Sequence, residues 1–317
     1  MAARDEVSVE VDGRALRLSN LQKVLFPVAG LTKAMVIDYY RQISPVMLTH
    51  LRRRALTMIR WPDGVEGGSF FAKQCPSYAP EWMGRATMPA TSRGGPVVHC
   101  TIDDLPSLVW VANLAALELH VPMSRADDPD RPMAIVFDFD PGPPADLSDA
   151  SRVALRLRDL LARFGLDCVA KTSGKKGLHV YVPLNVAGGP DQEQVRGFAK
   201  AVADRLASDD DDVLTVMRKD LRPGKVFIDW SQNARHKTTV AAYSLRATPR
   251  PGVSTPVTWD EVARFADGDV AAAAFGPDDV LARVERLGDL FAPVAEQRQD
   301  VVAAIVPDRS VPGSSDA

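Results

Sequence analysis

The alternation of apolar and polar positions divides the chain into short strands and amphipathic helices. Glu6 to Val11 and Arg14 to Leu18 flank Asp12-Gly13, the pattern of a β-hairpin with an Asp-Gly turn. From Lys33, the residues Val36, Ile37, Tyr40 and Ile43 fall on one side of a helix, with Thr32 as its N-cap. Val97 to Thr101 reads as a strand after the Gly-rich loop Ser92 to Pro96. Leu105 to Leu119 reads as an apolar helix ending at His120. Ala134 to Phe137 is a β-type apolar run that ends in Asp138-Phe139-Asp140-Pro141-Gly142. Ser148 to Phe164 carries Val153, Leu157, Leu160, Leu161 and Phe164 on one helical face, and Gly165 is its stop. Asp167 to Thr172 and Leu178 to Val182 are strands around the loop Ser173 to Gly177. Gln192 to Leu206 is a second amphipathic helix, and Lys225 to Trp230 a further strand. Helices near Asp260 to Phe265 and Pro277 to Leu287 follow. The polar, Pro-containing tail from Val306 has the composition of disorder.

At 317 residues the chain is long enough for one large or two small domains with a substantial core. Asp127 to Arg131 is a polar linker and the best candidate boundary. It divides an N-terminal module, residues 1–126, from a catalytic module, residues 127–300, with a tail at 301–317, the whole forming one compact unit. The net charge of −3 gives no overall sign of nucleic-acid binding, so any such surface is a local patch. Cys75, Cys100 and Cys168 lack C-x-x-C spacing, which argues against structural zinc and for reduced thiols. There is neither a signal-type leader nor a long apolar run, so a cytoplasmic protein with no membrane partner is expected.

Side chains alternate along a strand, so Asp138 and Asp140 share one face and Phe139 points to the other. Two carboxylates held that close raise each other's pKa unless a cation lies between them. Hard oxygen ligands suit Mg²⁺ or Mn²⁺; the alternative is a strand end with two solvated acids. Asp229, on another apolar strand, can complete a three-carboxylate set. The loop Ser173-Gly174-Lys175-Lys176-Gly177 suits phosphate through backbone N–H groups and ammonium charge, although it leads into a strand and is not a Walker A loop. Its alternative is a basic hairpin turn. Arg218, Lys219, Arg222 and Lys225 form a basic approach to Asp229. Arg52, Arg53, Arg54 and Arg60 form another basic cluster, close to Phe70 and Phe71. Those two aromatics face opposite ways on a strand, and an exposed Phe near Arg suits base stacking.

Taken in order, the segments Asp138 to Gly142, Lys171 to His179, Asp229 to Asn233, Lys237 to Val240 and Tyr243 to Ala247 resemble one family. It is the primase-polymerase domain of bacterial end-joining ligases, within the archaeo-eukaryotic primase superfamily. The resemblance continues upstream through Asn20 to Pro27, Arg60 to Gly64, Ser69 to Lys73 and Leu117 to His120, and covers roughly residues 18 to 265. It implies an α+β fold of mainly antiparallel sheets flanked by helices. It implies a DNA-dependent nucleotidyltransferase that adds NTPs or dNTPs to a 3′-hydroxyl by two-metal catalysis, in gap filling or end repair. Asp138, Asp140 and Asp229 would hold two Mn²⁺ or Mg²⁺ ions. Ser173, Lys176, His179 and Arg246 would hold the nucleotide, with His120 nearby. Asn20, Lys23 and Lys33 would hold the 5′-phosphate of a downstream strand, while Phe70, Phe71, Arg60 and Arg222 would meet DNA. Implied partners are DNA with gaps or broken ends, the end-binding protein Ku and a ligase. The chain carries no ligase-type K-x-D-G motif, so it is expected to stand alone and act with any ligase in trans. Two rival readings are a non-catalytic DNA-end-binding module and a D-x-D phosphatase. Gly142 stands where the phosphatase needs Thr or Val.

Overall fold

The computed structural model describes residues 6–89 and 95–301. Among the described residues the two largest sheets, six-stranded and four-stranded, are mainly antiparallel and share an apolar core, with helices packed on them. The larger sheet orders its strands as Val213–Leu214, Val226–Asp229, Ala134–Pro141, Leu178–Pro183, Val169–Thr172 and Pro256–Val257. All of its pairings are antiparallel except that of Val213–Leu214 with Val226–Asp229. The smaller sheet runs Thr239–Val240, Ala116–Val121, Thr57–Arg60 and Phe70–Ala72.

The Ala134–Pro141 strand lies inside the larger sheet, and its two faces enter different cores. Ile135, Phe137 and Phe139 pack with Leu157 and Phe198, from the helices Leu147–Ala162 and Gln192–Ser208. Ala134 and Val136 pack on the other side with Tyr40, Leu117 and Tyr243. That second face continues to Asp138 and Asp140. The gap between the sheets is therefore apolar at one end and ionisable at the other, as the period-two pattern requires.

Both sequence-read amphipathic helices form. The first is opened by an Asp146–Asp149 capping box and the second by an Asp191–Gln194 box. Thr32 caps Lys33–Leu51, accepting from the Met35 N–H, and Glu6–Val11 pairs with Arg14–Ser19 as the expected hairpin. Three expectations fail. The helix read over Leu105 to Leu119 stops at Asn113, Ala115 takes a left-handed conformation, and Ala116–Val121 is a strand. An apolar run of that length does not by itself distinguish a helix from a strand buried on both faces. Asp127 to Arg131 is not a linker. Asp128–Pro132 pairs with Ser124–Arg125, Asp127 forms an ion pair with Arg53, and Asp130 one with Arg235.

Cys75 and Cys100 are joined in a disulfide, not reduced. The Cys75 N–H donates to the Val98 carbonyl, which lays the two segments side by side, a proximity that motif spacing does not reveal. Cys168 is a buried free thiol. The Gly-rich loop at 92–96 and the tail from Val306 lie wholly or mostly outside the described residues. Among the described residues, no helix is long and apolar enough to cross a membrane.

Candidate nucleotidyl-transfer site

Asp138 pairs in register with His179 on one neighbouring strand and with Asp229 on the other. Directly opposed residues in an antiparallel pair project to the same side. The sheet thus places Asp138, Asp140, His179 and Asp229 on one surface. A cleft of about 670 Å³ opens there, lined among others by Asp138, Asp140, Ser173, Lys176, His179, Arg246 and His120. The side chain of Asp229 borders an adjoining hollow of about 240 Å³ with Thr215 and Trp230.

Each carboxylate is matched by donors. Asp138 lies 3.2 Å from His179 Nε2. Burial works to raise its pKa, yet His179, Lys171 and Arg246 outweigh that and hold the carboxyl below its ordinary value. Asp140 is paired with Lys176 at 2.9 Å and with Arg222 at 2.9 Å. Asp229 accepts from the Ser231 N–H at 3.0 Å and from Gln232 Nε2 at 2.9 Å. The turn carrying those donors is pinned by buried Asn233, which accepts from the Val136 N–H and donates to the Val136 carbonyl.

The loop expected to cradle phosphate is built by close approach. A β-carbon at Gly177 would strike the Phe139 carbonyl, and Gly174 has a φ of +72° against Arg246 and Val253. Ser173 Oγ accepts from the Gly177 N–H at 3.1 Å, leaving its own proton for a ligand. Lys176 also donates to the Pro141 carbonyl.

Three residues were not singled out from the sequence. Glu118 is only 2% exposed and faces His120 Nε2 at 3.1 Å, Lys175 Nζ at 3.4 Å and Arg246 Nε at 3.4 Å. It also accepts from the Ala247 N–H. Burial works to raise its pKa, but His120, Arg246 and Lys175 outweigh it and hold the group at about 2. Had Leu117 to His120 been read as a strand, the i, i+2 spacing would have put Glu118 and His120 on one face. Lys171 and Gln232 carried no separable signal.

A second patch lies on the outer edge of the smaller sheet and the adjoining turn. Asn20, in a left-handed conformation, accepts the Lys23 N–H at its carbonyl, and the Lys33 N–H donates to the Lys23 carbonyl, which brings Lys33 beside the Asn20–Lys23 turn. Lys33 Nζ donates to the Ser19 carbonyl at 2.6 Å, and Lys23 pairs with Asp63 at 2.6 Å. Burial, then Lys23 and Arg60, lower the Lys33 pKa to about 8. Phe70 is 45% and Phe71 69% exposed, so neither packs inward. The Arg60 guanidinium lies 5.1 Å from the Phe70 ring and contacts exposed Tyr78. Arg54 leaves the basic cluster: it is buried and donates to the Pro122 and His50 carbonyls.

Paired carboxylates inside a mainly antiparallel sheet, beside a lysine-bearing loop, fit a polymerase domain of the primase-polymerase class. The family model of the LigD primase-polymerase domain matches residues 32–291, and the chain belongs to that family. It is 43% identical over 282 residues to the multifunctional non-homologous end joining protein LigD of Mycolicibacterium smegmatis, covering 88% of this chain and 36% of that protein. It is 32% identical over 289 residues to the bifunctional LigD of Bacillus subtilis, covering 90% of this chain and 45% of that one. The chain thus spans less than half the length of these relatives. The polymerase domain of Mycobacterium tuberculosis Ligase D, solved in complex with DNA, superimposes with a TM-score of 0.81 at 39% identity, covering 90% of this chain and 99% of that one.

Proposed function

We propose that the chain adds NTPs or dNTPs to a DNA 3′-hydroxyl at gaps or broken ends. The observation that carries this reading is the register that sets Asp138 opposite Asp229 on the sheet face where Asp138 and Asp140 line a cleft with Ser173, Lys176, His179 and Arg246. The hard carboxylate oxygens suit Mg²⁺ or Mn²⁺, and protein cations already balance the charge of Asp140. Among the described residues no three His, Cys, Asp or Glu side chains converge as a ready-made metal group. The three Asp residues would hold two such ions, which would supply a more acidic 3′-hydroxyl and charge neutralisation at the pyrophosphate.

The chain's own groups do the rest. The Ser173 hydroxyl, whose oxygen already takes the Lys175 and Gly177 N–H groups, donates to the triphosphate. Lys176 and Arg246 balance the charge of the departing pyrophosphate, and His179 donates through Nε2. Arg246 lines the cleft while its Nε faces Glu118 at 3.4 Å, so Glu118 holds the guanidinium beside the phosphate site. The reaction is an in-line attack of the 3′-oxygen on the α-phosphorus, with the P–O bond to pyrophosphate breaking as the new one forms.

The patch of Asn20, Lys23, Lys33, Arg60, Phe70 and Phe71 takes the DNA, with the ammonium groups at a downstream 5′-phosphate and the aromatics at bases. Arg222, beside Asp140, faces the growing strand. The relatives are end-joining proteins and the solved neighbour is bound to DNA, which supports a repair role alongside Ku and a ligase. The test is extension of a labelled primer on gapped DNA with single NTPs or dNTPs, in Mn²⁺ and in Mg²⁺. Metal-dependent addition is expected; binding without addition would leave a DNA-end-binding module.

A further inference from the structure

Lys175 and Lys176 are neighbours in one loop, yet they reach for different sheets. Lys176 Nζ lies 2.9 Å from Asp140, on the Ala134–Pro141 strand of the larger sheet. Lys175 Nζ lies 3.4 Å from Glu118, on the Ala116–Val121 strand of the smaller sheet. Both lysines are exposed and both line the cleft. The chemistry proposed above uses Lys176 and leaves Lys175 without a task.

Glu118 is an uncommon partner for an exposed lysine. Leu117 and Leu119 enter the core, so strand alternation turns Glu118 the other way, together with His120. An ion pair between two exposed groups contributes little, because water competes for both charges. Here one end is buried and fixed. One oxygen of Glu118 accepts from the Ala247 N–H at 3.1 Å, and the other faces Arg246 Nε and His120 Nε2. A carboxylate held in this way cannot swing out, so the lysine comes to it. The charges also fail to cancel. One carboxylate stands against the ammonium of Lys175 and the guanidinium of Arg246, which leaves positive charge in excess along the cleft. An ammonium has three N–H donors, and Glu118 takes at most one of them.

We propose that Glu118 is a positioning residue that draws Lys175 to the cleft beside Arg246, where Lys175 supplies a further ammonium to the phosphates of the incoming nucleotide. That role rests on the function proposed above and deepens it. The two consecutive lysines then hold the triphosphate from both sheets. The loop itself is fastened by the same contact, since the Lys175 N–H is bonded to Ser173 Oγ at 3.3 Å.

The test titrates ATP with Mg²⁺ into wild type and variants by calorimetry, with primer extension on the same preparations. Lys175→Met should weaken ATP binding about tenfold, the lower end for a hydrogen bond to a charged group, and should raise the nucleotide KM more than it lowers kcat. Its Tm and its affinity for gapped DNA should match wild type. Lys175→Arg should recover most of the lost ATP affinity. In a Glu118→Gln background, Lys175→Met should do much less harm, because the lysine there is no longer held. Should Glu118→Gln not fold, Glu118→Asp takes its place in the cycle, keeping the charge and withdrawing it from the loop. Wild-type ATP affinity in Lys175→Met, or an equal loss with and without Glu118, would overturn the inference. Coupled ATP binding without any primer extension would sink the functional reading alone. Extension by wild type beside an indifferent Lys175→Met would sink the role of Lys175 alone, and a wild type that binds no ATP would sink both.

Discussion

Asp138 and Asp229 stand directly opposite each other across neighbouring antiparallel strands, although they lie far apart in sequence. Asp138 lines the cleft with Asp140, and Asp229 borders the adjoining hollow. The first prediction follows from it. Asp138→Ala or Asp140→Ala should abolish nucleotide addition and leave DNA binding nearly unchanged, because affinity for DNA comes mostly from cations at phosphates. Primer extension and gel shifts on the same preparations check this. Residual extension within about tenfold of wild type would remove the essential role assigned to these carboxylates.

The turn of Asn20, Lys23 and Lys33 should make the enzyme sense the far side of a gap. A terminal phosphate carries up to two charges and an internal one carries one. Wild type should extend a gapped substrate better when the downstream strand has a 5′-phosphate. Lys23→Ala, Lys33→Ala should lose that preference, about 2–4 kcal/mol, while still extending a simple primer-template. With the Lys33 pKa near 8, the preference should also fade as pH rises through about 8. Indifference of wild type to the phosphate would make these ordinary lysines.

Phe71 is the more exposed of the aromatic pair. Phe71→Ala should weaken binding to template DNA by about 1–3 kcal/mol, the range for one stacked base. Tm should hardly move, since no core contact is lost. Fluorescence anisotropy beside a thermal melt separates a stacking role from a structural one.

Glu118 gives a prediction in acid. Its folded pKa is about 2, against an ordinary 4.5. The unfolded chain therefore binds more protons between those values. The stabilisation from the ionised group is full above pH 4.5 and is lost as pH falls toward about 2. Over that window the loss amounts to about 3 kcal/mol. Glu118→Gln should be less stable than wild type at pH 7, with the gap narrowing below pH 4.5. Denaturant melts at pH 7, 4.5 and 3 would show it; a gap independent of pH would assign Glu118 a purely steric role.

Much of this arrangement was legible because period-two alternation is a local property. Asp138 and Asp140 on one face, Phe139 in the core and the two amphipathic helices all came from spacing alone. The ordered motifs then suggested which distant residues share a site. What was not legible was set by tertiary pairing. His120 reached the cleft on a strand that its apolar neighbours disguised as a helix. Arg54 turned inward to two carbonyls because the chain reverses at Arg53, in a left-handed conformation. Lys171 was read on its strand, but nothing in its spacing set it apart until the sheet brought Ser254 and His179 to its amine.

The short Thr239–Val240 strand completes the smaller sheet beside Ala116–Val121, and the residues after it, Ala241 to Leu245, are buried in the same core as Tyr40 and Leu117. A fragment ending at residue 126 would leave Ala116–Val121 with a bare edge and an uncovered apolar face, the condition that drives strands to pair with other chains. Such a fragment is expected to aggregate when made alone. Co-expressed with the remainder of the chain, it should be rescued, and the two pieces should reassemble as a split enzyme whose activity reports their association.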